Sequence, residues 1–195
     1  SYNGRFSLGE TTTSTDFETR GYYSAGINDM FYKTYQGVPY THYTQEDYHE
    51  LWIRRNDKVE DPSRPWVVEK NGEYKYYGNF DWYNCLFDNT RPTWEHNLTV
   101  SGGTEKVKYM LSGNYYNQKG IIRIDPDRFK KYTFRSKIIA NITSWFELSN
   151  NTSYYHSEYT YPGLSGVNDV FTRAGRHALA SIVPMHPDGT LVYRT

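Results

Sequence analysis

The sequence predicts an all-β fold: part of a large antiparallel transmembrane β-barrel with long extracellular loops that contain short helices. Three observations predict it. The composition is aromatic yet polar, several segments alternate between apolar and polar side chains, and the connections between these segments alternate between short and long. Together these observations favour strands that present one face to lipid and the other to water.

The composition is rich in aromatic residues, yet the chain as a whole is hydrophilic. Tyrosine, tryptophan and phenylalanine number 21, 5 and 9 and make up 18% of the 195 residues, whereas the mean hydropathy is −0.84. Soluble α/β enzymes usually carry more Ala, Leu and Val, while many-stranded proteins favour aromatic and β-branched residues, which fit a pleated surface. The composition therefore favours an all-β chain.

Charge and cysteine content exclude several classes of function. Lys plus Arg and Asp plus Glu number 22 each, so the chain has no net positive field to hold nucleic acid. Cys85 is the single cysteine and cannot form an internal disulfide, and no Cys or His cluster has the spacing of a metal site. We expect no nucleic-acid partner, no metal and no cofactor. No apolar run approaches the roughly 18 to 20 residues of a membrane helix, so a membrane would be crossed by strands.

The first 93 residues divide into a strand and a long connection. Residues 1–9 predict a two-faced strand, with aromatic and aliphatic side chains on one face and polar ones on the other. Residues 10–93 lose this alternation and predict a long external loop. Within this loop Thr44 precedes Asp47 by three residues, which predicts the N-cap of a short helix.

The most regular part of the sequence predicts four antiparallel strands over residues 94–158. The first two form a hairpin around the turn at 102–105, which contains two glycines. A third strand covers 129–141, and a fourth runs from 145 to about 155. The side chains expected on the apolar face are Leu98, Val107, Tyr109, Leu111, Gly113, Tyr115, Phe134, Ile138, Ala140, Phe146, Leu148 and Tyr154.

The connections of this region alternate in length. Those at 102–105 and 141–144 are short, whereas those at 117–128 and 159–195 are long, and we assign the last to the next external loop, with a possible helix over 167–180. Short periplasmic turns and long external loops are typical of outer-membrane barrels. Five strands are too few, and of the wrong parity, to close a barrel, so we expect further strands outside this sequence.

Three motifs in this region carry a resemblance to a known family. Residues 95–112 are EHNLTVSGGTEKVKYMLS, residues 117–122 are NQKGII, and residues 145–148 are WFEL. This ordered series, within about residues 94–156, resembles the early barrel of SusC/RagA-type TonB-dependent outer-membrane transporters. The resemblance is specific because the whole series matches in order.

The resemblance implies an architecture. Family members have a TonB-interacting segment, a plug domain and a barrel of about 22 strands. Residues 1–9 would then be the first barrel strand, 10–93 the first external loop and 94–158 the next four strands. The plug and the remaining barrel would be absent from this chain.

The resemblance also implies a function, a location and partners. The expected function is TonB-dependent import of oligosaccharides or peptides across the bacterial outer membrane. The expected partners are a SusD-like surface lipoprotein acting as a lid, TonB through a region absent here, the glycan or peptide substrate and outer-membrane lipid. The expected location is the outer membrane, as a multi-pass β-barrel.

Two sets of residues are candidate site residues. Four cations are expected to face the barrel lumen, because one charge facing lipid near mid-bilayer costs about 2–4 kcal/mol; the alternative is the solvated face of a soluble sheet. Six aromatic residues are candidates for stacking on a sugar, and the alternative is packing within the loop or against a lid. The lumen-facing cations are Lys106, Lys108, Arg135 and Lys137, and the aromatic candidates are Trp66, Tyr74, Tyr76, Tyr77, Trp82 and Tyr83.

Catalysis finds no support in the sequence. The nucleophile-elbow, zincin and P-loop motifs are absent, and the six histidines are scattered. Asp125 and Asp127 are close in sequence, but carboxylates in a turn more often cap it than hydrolyse glycosides. We therefore expect no catalytic residues and no enzyme.

A rival interpretation is a secreted all-β carbohydrate-binding module. Its aromatic residues would also stack on sugar, but the apolar strand faces would point into a compact sandwich. Detergent distinguishes the two, because a transporter wall partitions with the outer membrane and a binding module stays in solution without detergent.

Overall fold

The computed structural model describes residues 1–12, 14, 16–161, 163 and 167–193, with the backbone alone at Val167. The chain divides into two compact units. The sheet unit comprises residues 1–13 and 86–169, and the loop unit comprises residues 14–85 and 170–195.

Seven strands and four helices make up the described part of the chain. In chain order they are β1 (Tyr2–Glu10), α1 (Gly21–Gln36), α2 (Gln45–Arg54), β2 (Val67–Lys70), β3 (Glu73–Tyr76), α3 (Trp82–Leu86), β4 (Thr90–Gly103), β5 (Val107–Lys119), β6 (Arg128–Asn141), β7 (Glu147–Thr160) and α4 (Val167–His177). Antiparallel sheet dominates, so the all-β prediction is confirmed at the level of fold class. Among the described residues, no helix is long and apolar enough to cross a membrane.

The sheet unit is a single antiparallel sheet in the order β1-β4-β5-β6-β7. Its register is continuous across all five strands: Leu98 pairs with Gly113, which pairs with Phe134, which pairs with Tyr154. Paired residues lie on the same face of a sheet, so this register aligns the alternating pattern of each strand with that of its neighbours. The hairpin between β4 and β5 needs its glycine, because a Cβ at Gly103 would overlap the carbonyl oxygen of Val107.

The strands are longer than the sequence predicted at several ends. β4 begins at Thr90 rather than at 94, and β7 extends to Thr160 instead of about 155. Pro92 falls within the predicted loop of residues 10–93, yet it lies inside β4 opposite Leu8. A proline is tolerated there because pairing with β5 begins only at Thr93, so β4 has a single neighbouring strand at Pro92.

The loop unit has its own core. One buried cluster contains Ala25, Leu51 and Tyr77, and a second contains Trp66, Val67 and Val183. The helix predicted after Thr44 is present as α2, with the capping box formed in both directions between Thr44 and Asp47. The helix considered over 167–180 is present as α4 and ends at His177.

Helices α1 and α3 and the β2–β3 hairpin were not predicted. The 16 residues of α1 contain two glycines and four tyrosines, which have modest helix propensity, and Arg20 at the N-cap makes no side-chain cap bond. The helix is held instead by tertiary packing of Ala25 and Asp29. The hairpin β2–β3 had a local signal, because Asn71 and Gly72 both have positive φ (55° and 79°), as an Asn-Gly hairpin turn requires.

Candidate functional site

One face of the five-stranded sheet is apolar and exposed. Leu98, Leu111 and Phe134 lie on this face, and it is called the apolar face from here on. Leu98, Val107, Leu111, Phe134 and Phe146 retain between 36% and 54% of their accessible surface. A soluble sandwich would bury these side chains against a second sheet. A large contiguous apolar surface of this kind marks contact with lipid or with another protein.

A row of aromatic and imidazole rings crosses the apolar face, with one ring on each strand. Neighbouring ring centroids are 6.2 Å apart for Tyr2 and His96, 6.2 Å for His96 and Tyr115, 5.2 Å for Tyr115 and Tyr132, and 6.0 Å for Tyr132 and His156. The Tyr2 hydroxyl and His96 Nδ1 share a hydrogen bond of 2.8 Å. These five residues form the aromatic row. Such girdles lie at the membrane–water interface of barrels, because the rings are apolar at one end and polar at the other.

On β5, β6 and β7 the aromatic row separates apolar from charged side chains on the same face, whereas on β1 and β4 apolar side chains such as Phe6 and Leu8 continue beyond it. Beyond it, toward the 120–127 connection, lie Lys119, Arg128, Lys130 and Glu158. On its other side apolar residues continue to Val107, eight residues from Tyr115 along β5. Eight residues span about 26 Å along a strand, or about 20 Å across a membrane at the usual tilt, which is close to the roughly 25 Å band of a barrel.

The opposite face of the sheet is polar. Asn114 Nδ2 donates to Glu95 Oε1 at 3.0 Å and to Asn97 Oδ1 at 2.6 Å, which joins β4 and β5 by side chains as well as by backbone. Arg135 is registered with Ser112 and Lys137 with Met110, so both belong to this polar face. The sheet thus has one apolar and one polar face, an aromatic row, and a group of charged side chains beyond that row, which is called the charged margin from here on. These are characteristics of a transmembrane barrel wall.

The four cations predicted to share a face are not all strand residues. Lys108, Arg135 and Lys137 lie on the polar face, as their alternation indicated. Lys106 lies one residue before β5, where its backbone amide donates to Thr104 Oγ1 and its carbonyl accepts from the Asn141 amide. The turn between β4 and β5 covers residues 104–106 rather than 102–105, so Lys106 is its last residue.

Two buried carboxylates organise the helices of the loop unit. Asp29 accepts hydrogen bonds from the backbone amide of Thr41 (2.7 Å), the Thr41 hydroxyl (2.6 Å) and the Tyr48 hydroxyl (2.6 Å). Asp47 accepts from the Tyr77 hydroxyl at 2.6 Å and from the Thr44 amide at 2.9 Å. Burial raises the pKa of each carboxyl, but these hydrogen bonds outweigh burial and hold both pKa values below their usual range.

Three tyrosines of the loop unit remain protonated through the physiological range, and two of them, Tyr48 and Tyr77, donate to these carboxylates. Burial is the largest cause that raises the pKa of Tyr43, to about 12. Burial, followed by the hydrogen bond to a carboxylate, raises the pKa of Tyr48 and of Tyr77. The Tyr43 hydroxyl donates to the Tyr76 carbonyl at 2.8 Å, which ties the segment just before α2 to the β2–β3 hairpin. These buried hydrogen bonds hold the segments of the loop unit in place relative to one another.

The six aromatic candidates occupy different environments within the loop unit. Tyr77 is fully buried and Trp66 is 9% exposed, so neither ring offers a face to a ligand in this structure. Trp82 Nε1 donates to the carbonyls of Leu179 and Ile182, at 3.0 and 2.9 Å. Tyr83 stacks on Phe17, with ring centroids 3.6 Å apart. These four rings are engaged in packing.

Tyr74 and Tyr76 form a cluster with His186, a residue that the sequence did not single out. The ring of His186 lies 4.4 Å from that of Tyr74 and 5.8 Å from that of Tyr76. His186 Nδ1 is buried with no hydrogen-bond partner among the described residues. No local motif connects residue 186 with 74 and 76, so this cluster was visible only in three dimensions.

A polar cavity of about 900 Å³ lies in the loop unit and was also not predicted. Its lining carries both signs of charge, and Glu18 and Arg20 on its wall form an ion pair at 2.6 Å. Asn79 closes part of its wall, since its amide donates to the Arg54 and Asp57 carbonyls. The other lining residues are Asp16, Phe17, Thr19, Arg55, Asn56, Lys58 and Asp81. Among the described residues, no group of His, Cys, Asp and Glu is arranged to hold a metal ion.

The comparisons with known proteins agree with this architecture. No family model matches the chain. The TonB-dependent receptor P26 of Formosa agariphila is 36% identical over 62 residues, which are 32% of this chain and 6% of that receptor. The solved structure of the RagAB peptide transporter superposes with a TM-score of 0.58 at 17% identity, over 98% of this chain and 21% of that one.

These similarities confirm the resemblance to SusC/RagA-type TonB-dependent transporters that the motifs of residues 94–156 indicated. At 17% identity the likeness to RagAB shows the fold alone. The chain spans 6% and 21% of the lengths of these two proteins, so it corresponds to a small part of each. The two similar proteins are a receptor and a transporter, and the expectation that this chain is not an enzyme is confirmed on that ground.

Proposed function

We propose that the chain forms part of the barrel wall and the external loops of a TonB-dependent transporter, which imports oligosaccharides or peptides across the bacterial outer membrane. The sheet unit would be the first five strands of the wall. The loop unit would stand outside the membrane and shape the substrate cavity together with a SusD-like lipoprotein lid. Energy would come from TonB, through a plug and a TonB-interacting segment that this chain does not contain.

The observation that carries the proposal is the contrast between the two faces of one sheet. The apolar face exposes leucine, valine and phenylalanine side chains up to the aromatic row, and the polar face carries Glu95, Asn97, Asn114 and the cations. In water, the exposed apolar face would be a liability for aggregation, because nothing in the described chain covers it. A bilayer on one side and a water-filled lumen on the other satisfy both faces at once.

The rival carbohydrate-binding module fits these faces less well. In a sandwich the apolar faces of two sheets meet about 10 Å apart and bury each other. The second sheet of the described chain is the two-stranded β2–β3 hairpin, with four residues in each strand. It is too small to cover strands of 13 and 14 residues.

Substrate contacts are proposed for the exposed part of the aromatic set and for the polar cavity. Tyr74, which is 36% exposed, and Tyr76, which is half-buried, lie beside His186 and remain our candidates for stacking on a sugar or on an aromatic peptide side chain. The cavity offers carboxylates and guanidinium groups that suit the charged termini of a peptide or the hydroxyls of a glycan. For Lys108, Arg135 and Lys137 we propose a position facing the lumen.

Site-directed labelling in the full-length transporter tests the proposal. With Cys85 replaced by Ser, single cysteines are placed at Leu111 on the apolar face and at its neighbour Ser112 on the polar face. In outer membranes, we expect Leu111→Cys to react with a lipid-soluble maleimide and to be protected from a charged one. We expect Ser112→Cys to show the reverse preference. Equal reaction of both cysteines with the charged reagent, in protein that is soluble without detergent, would favour the binding module.

Uptake is tested separately. Deletion of the gene that encodes the chain should abolish growth on the cognate glycan or peptide, and co-purification should recover a surface lipoprotein. Normal uptake in the deletion strain would contradict the transport function even where the labelling places the sheet in the membrane.

A further inference from the structure

Three glycines on the apolar face differ in what covers them. A Cβ at Gly4 would lie 3.0 Å from the Tyr2 hydroxyl oxygen, and one at Gly102 would lie 2.8 Å from the Tyr109 hydroxyl oxygen. In both cases a tyrosine ring lies over the bare backbone, which protects the strand where a side chain is missing. A Cβ at Gly113 would meet nothing within 4 Å. Gly113 therefore leaves an open gap in an otherwise filled surface.

This gap forms a groove of about 440 Å³, called the Gly113 groove from here on. Its walls are aromatic and aliphatic, and they come from all five strands of the sheet. Leu98 and Phe134 are the registered neighbours of Gly113 and flank the gap directly, and Tyr154 continues the same rung. The remaining lining includes Tyr2, His96, Tyr115 and Tyr132 of the aromatic row. The groove therefore begins at the aromatic row and extends from it into the apolar band.

Charge on the same face lies close to the groove, on the far side of the aromatic row. Lys130 and Arg128 precede Tyr132 on β6 by two and four residues, about 7 and 13 Å along the strand. Lys119 on β5 is registered with Arg128. Lys130 lies 3.9 Å from Glu158 and Lys119 lies 3.6 Å from Asp88, whereas Arg128 makes no ion pair with a described residue. Arg128, next to Lys130 on the same face of β6, suits a ligand with negative head-group charge.

The aromatic row also fixes the side of the membrane. It lies toward the connection of residues 120–127, whereas the short turns at 104–106 and 142–146 lie at the opposite end of the strands. Short turns are periplasmic and long loops external in barrels of this kind. The groove and its cations therefore belong to the outer leaflet.

We propose that the Gly113 groove binds an acyl chain of the phosphorylated glycolipid of the outer leaflet, the lipid A type, with its phosphate at Lys130 and Arg128. The inference rests on the proposed function in one respect, namely that the apolar face meets lipid. The acyl chain fills the gap at Gly113, where a side chain is missing. The aromatic row lies at the boundary between the acyl chain and the head group. The charged margin neutralises the phosphate.

Native mass spectrometry of the full-length transporter tests the site with two variants that add the same side chain. Gly113→Leu fills the groove, and Thr152→Leu adds a leucine to the apolar face on β7, outside the groove. With lipid A as the probe, we expect Gly113→Leu to weaken binding by about tenfold or more and Thr152→Leu to leave it unchanged. Equal binding by Gly113→Leu and the parent protein would overturn the proposal.

Two further arms identify the ligand. Arg128→Ala with Lys130→Ala should weaken binding of lipid A and have little effect on its dephosphorylated form. Phosphatidylglycerol should bind more weakly than lipid A, and tighter binding of the phospholipid would contradict the assignment. A change from dimer to monomer mass in Gly113→Leu would instead make the groove an interface with a second copy and would also overturn the proposal.

The labelling of Leu111→Cys distinguishes failure of the groove proposal from failure of the transporter proposal. If the lipid-soluble reagent labels that cysteine while Gly113→Leu still binds lipid A normally, the groove proposal fails and the transporter proposal stands. If the charged reagent labels it, the apolar face does not meet lipid and both proposals fail.

Discussion

The two units of this chain are stabilised in opposite ways. Among the described residues, nine buried apolar side chains belong to the loop unit, among them Ala25, Leu51 and Tyr77. Two belong to the sheet unit, Phe87 and Ile122, and both lie in connections rather than in strands of the large sheet. The loop unit therefore carries its own core. The sheet unit has regular backbone pairing and leaves the burial of its apolar face to its surroundings.

Under the proposed function, this contrast follows from the solvent of each unit, which is water for the loop unit and lipid on one face of the sheet. A loop in water must bury apolar surface against itself, and the loop unit does so around two buried carboxylates. A strand between lipid and an aqueous lumen gains nothing from an internal core, and its hydrogen bonds must all be made with neighbouring strands. Large changes in the loop unit should therefore act by creating cavities, and large changes in the sheet by placing polar groups in lipid.

The largest expected effect is Leu51→Ala in the loop unit. Leu51 is 1% exposed and packs with Ala25 and Tyr77, so its truncation should leave a cavity and cost about 2–5 kcal/mol. Hydrogen exchange of α1 and α2 in the full-length protein should accelerate while exchange of β4–β7 stays unchanged. Leu148→Ala is the matched control, because Leu148 is 55% exposed and its loss creates no cavity. Equal acceleration in both units would mean that they do not unfold independently.

The second prediction exchanges the two faces of the sheet. Leu111→Arg places a charge on the apolar face, and we expect a cost of about 2–4 kcal/mol in the folding of the full-length barrel in lipid. Ser112→Arg adds the same side chain to the polar face, beside Arg135, and should cost less than about 1 kcal/mol. Urea titrations of folding into lipid vesicles measure both variants. Similar costs for the two would contradict the assignment of faces.

The sheet could be predicted from the sequence because alternation is a local signal. Its period of two residues assigns Leu111 and Ser112 to opposite faces with no knowledge of neighbouring strands. The aromatic row could not be predicted in the same way, since it needs the registers of the three strand pairs that bring His96, Tyr115, Tyr132 and His156 to one level. Lys106 was misplaced because a one-residue error at a turn removes a side chain from the strand.

The loop unit could be predicted only where the signal was local. The capping box between Thr44 and Asp47 was such a signal, and the Asn71-Gly72 turn was another that had not been used. Helix α1 has no such signal, because packing rather than propensity stabilises it. The cluster of His186 with Tyr74 and Tyr76, and the polar cavity, depend on contacts between segments far apart in sequence.

The third prediction concerns acid. Because the pKa values of Asp29 and Asp47 are below their usual range in the folded unit, their contribution to stability is present above about pH 4 and is lost as the pH falls through the folded pKa values. Asp29→Asn removes one of these carboxylates and places an amide donor opposite the donors Thr41 and Tyr48. We expect it to cost about 1.5–3 kcal/mol near neutral pH and to reduce the loss of stability as the pH falls below about 4.

The measurement is hydrogen exchange of α1 and α2 as a function of pH, corrected for the intrinsic exchange rate. Glu73→Gln is the control, because Glu73 is exposed and its described ion pair is with Lys75, so its removal should change stability by less than about 0.5 kcal/mol. If Asp29→Asn kept the full acid sensitivity of the parent protein, the carboxylate network would not be its source.

The smallest effect is expected at the N-cap of α2. The Thr44 hydroxyl oxygen accepts from the Asp47 amide at 3.2 Å, and Asp47 returns a hydrogen bond to the Thr44 amide at 2.9 Å, so Thr44→Ala breaks half of the capping box. We expect a loss of about 1 kcal/mol, seen as faster exchange of the Asp47 amide and the first turn of α2. Thr34→Ala is the same substitution in α1, where the hydroxyl donates to the Met30 carbonyl four residues earlier, a bond that adds little to a helix. If both threonine variants had the same effect on their helices, loss of the methyl and hydroxyl groups in general would explain it. A loss confined to Thr44→Ala would show that local capping, and not only the packing that holds α1, contributes to the loop unit.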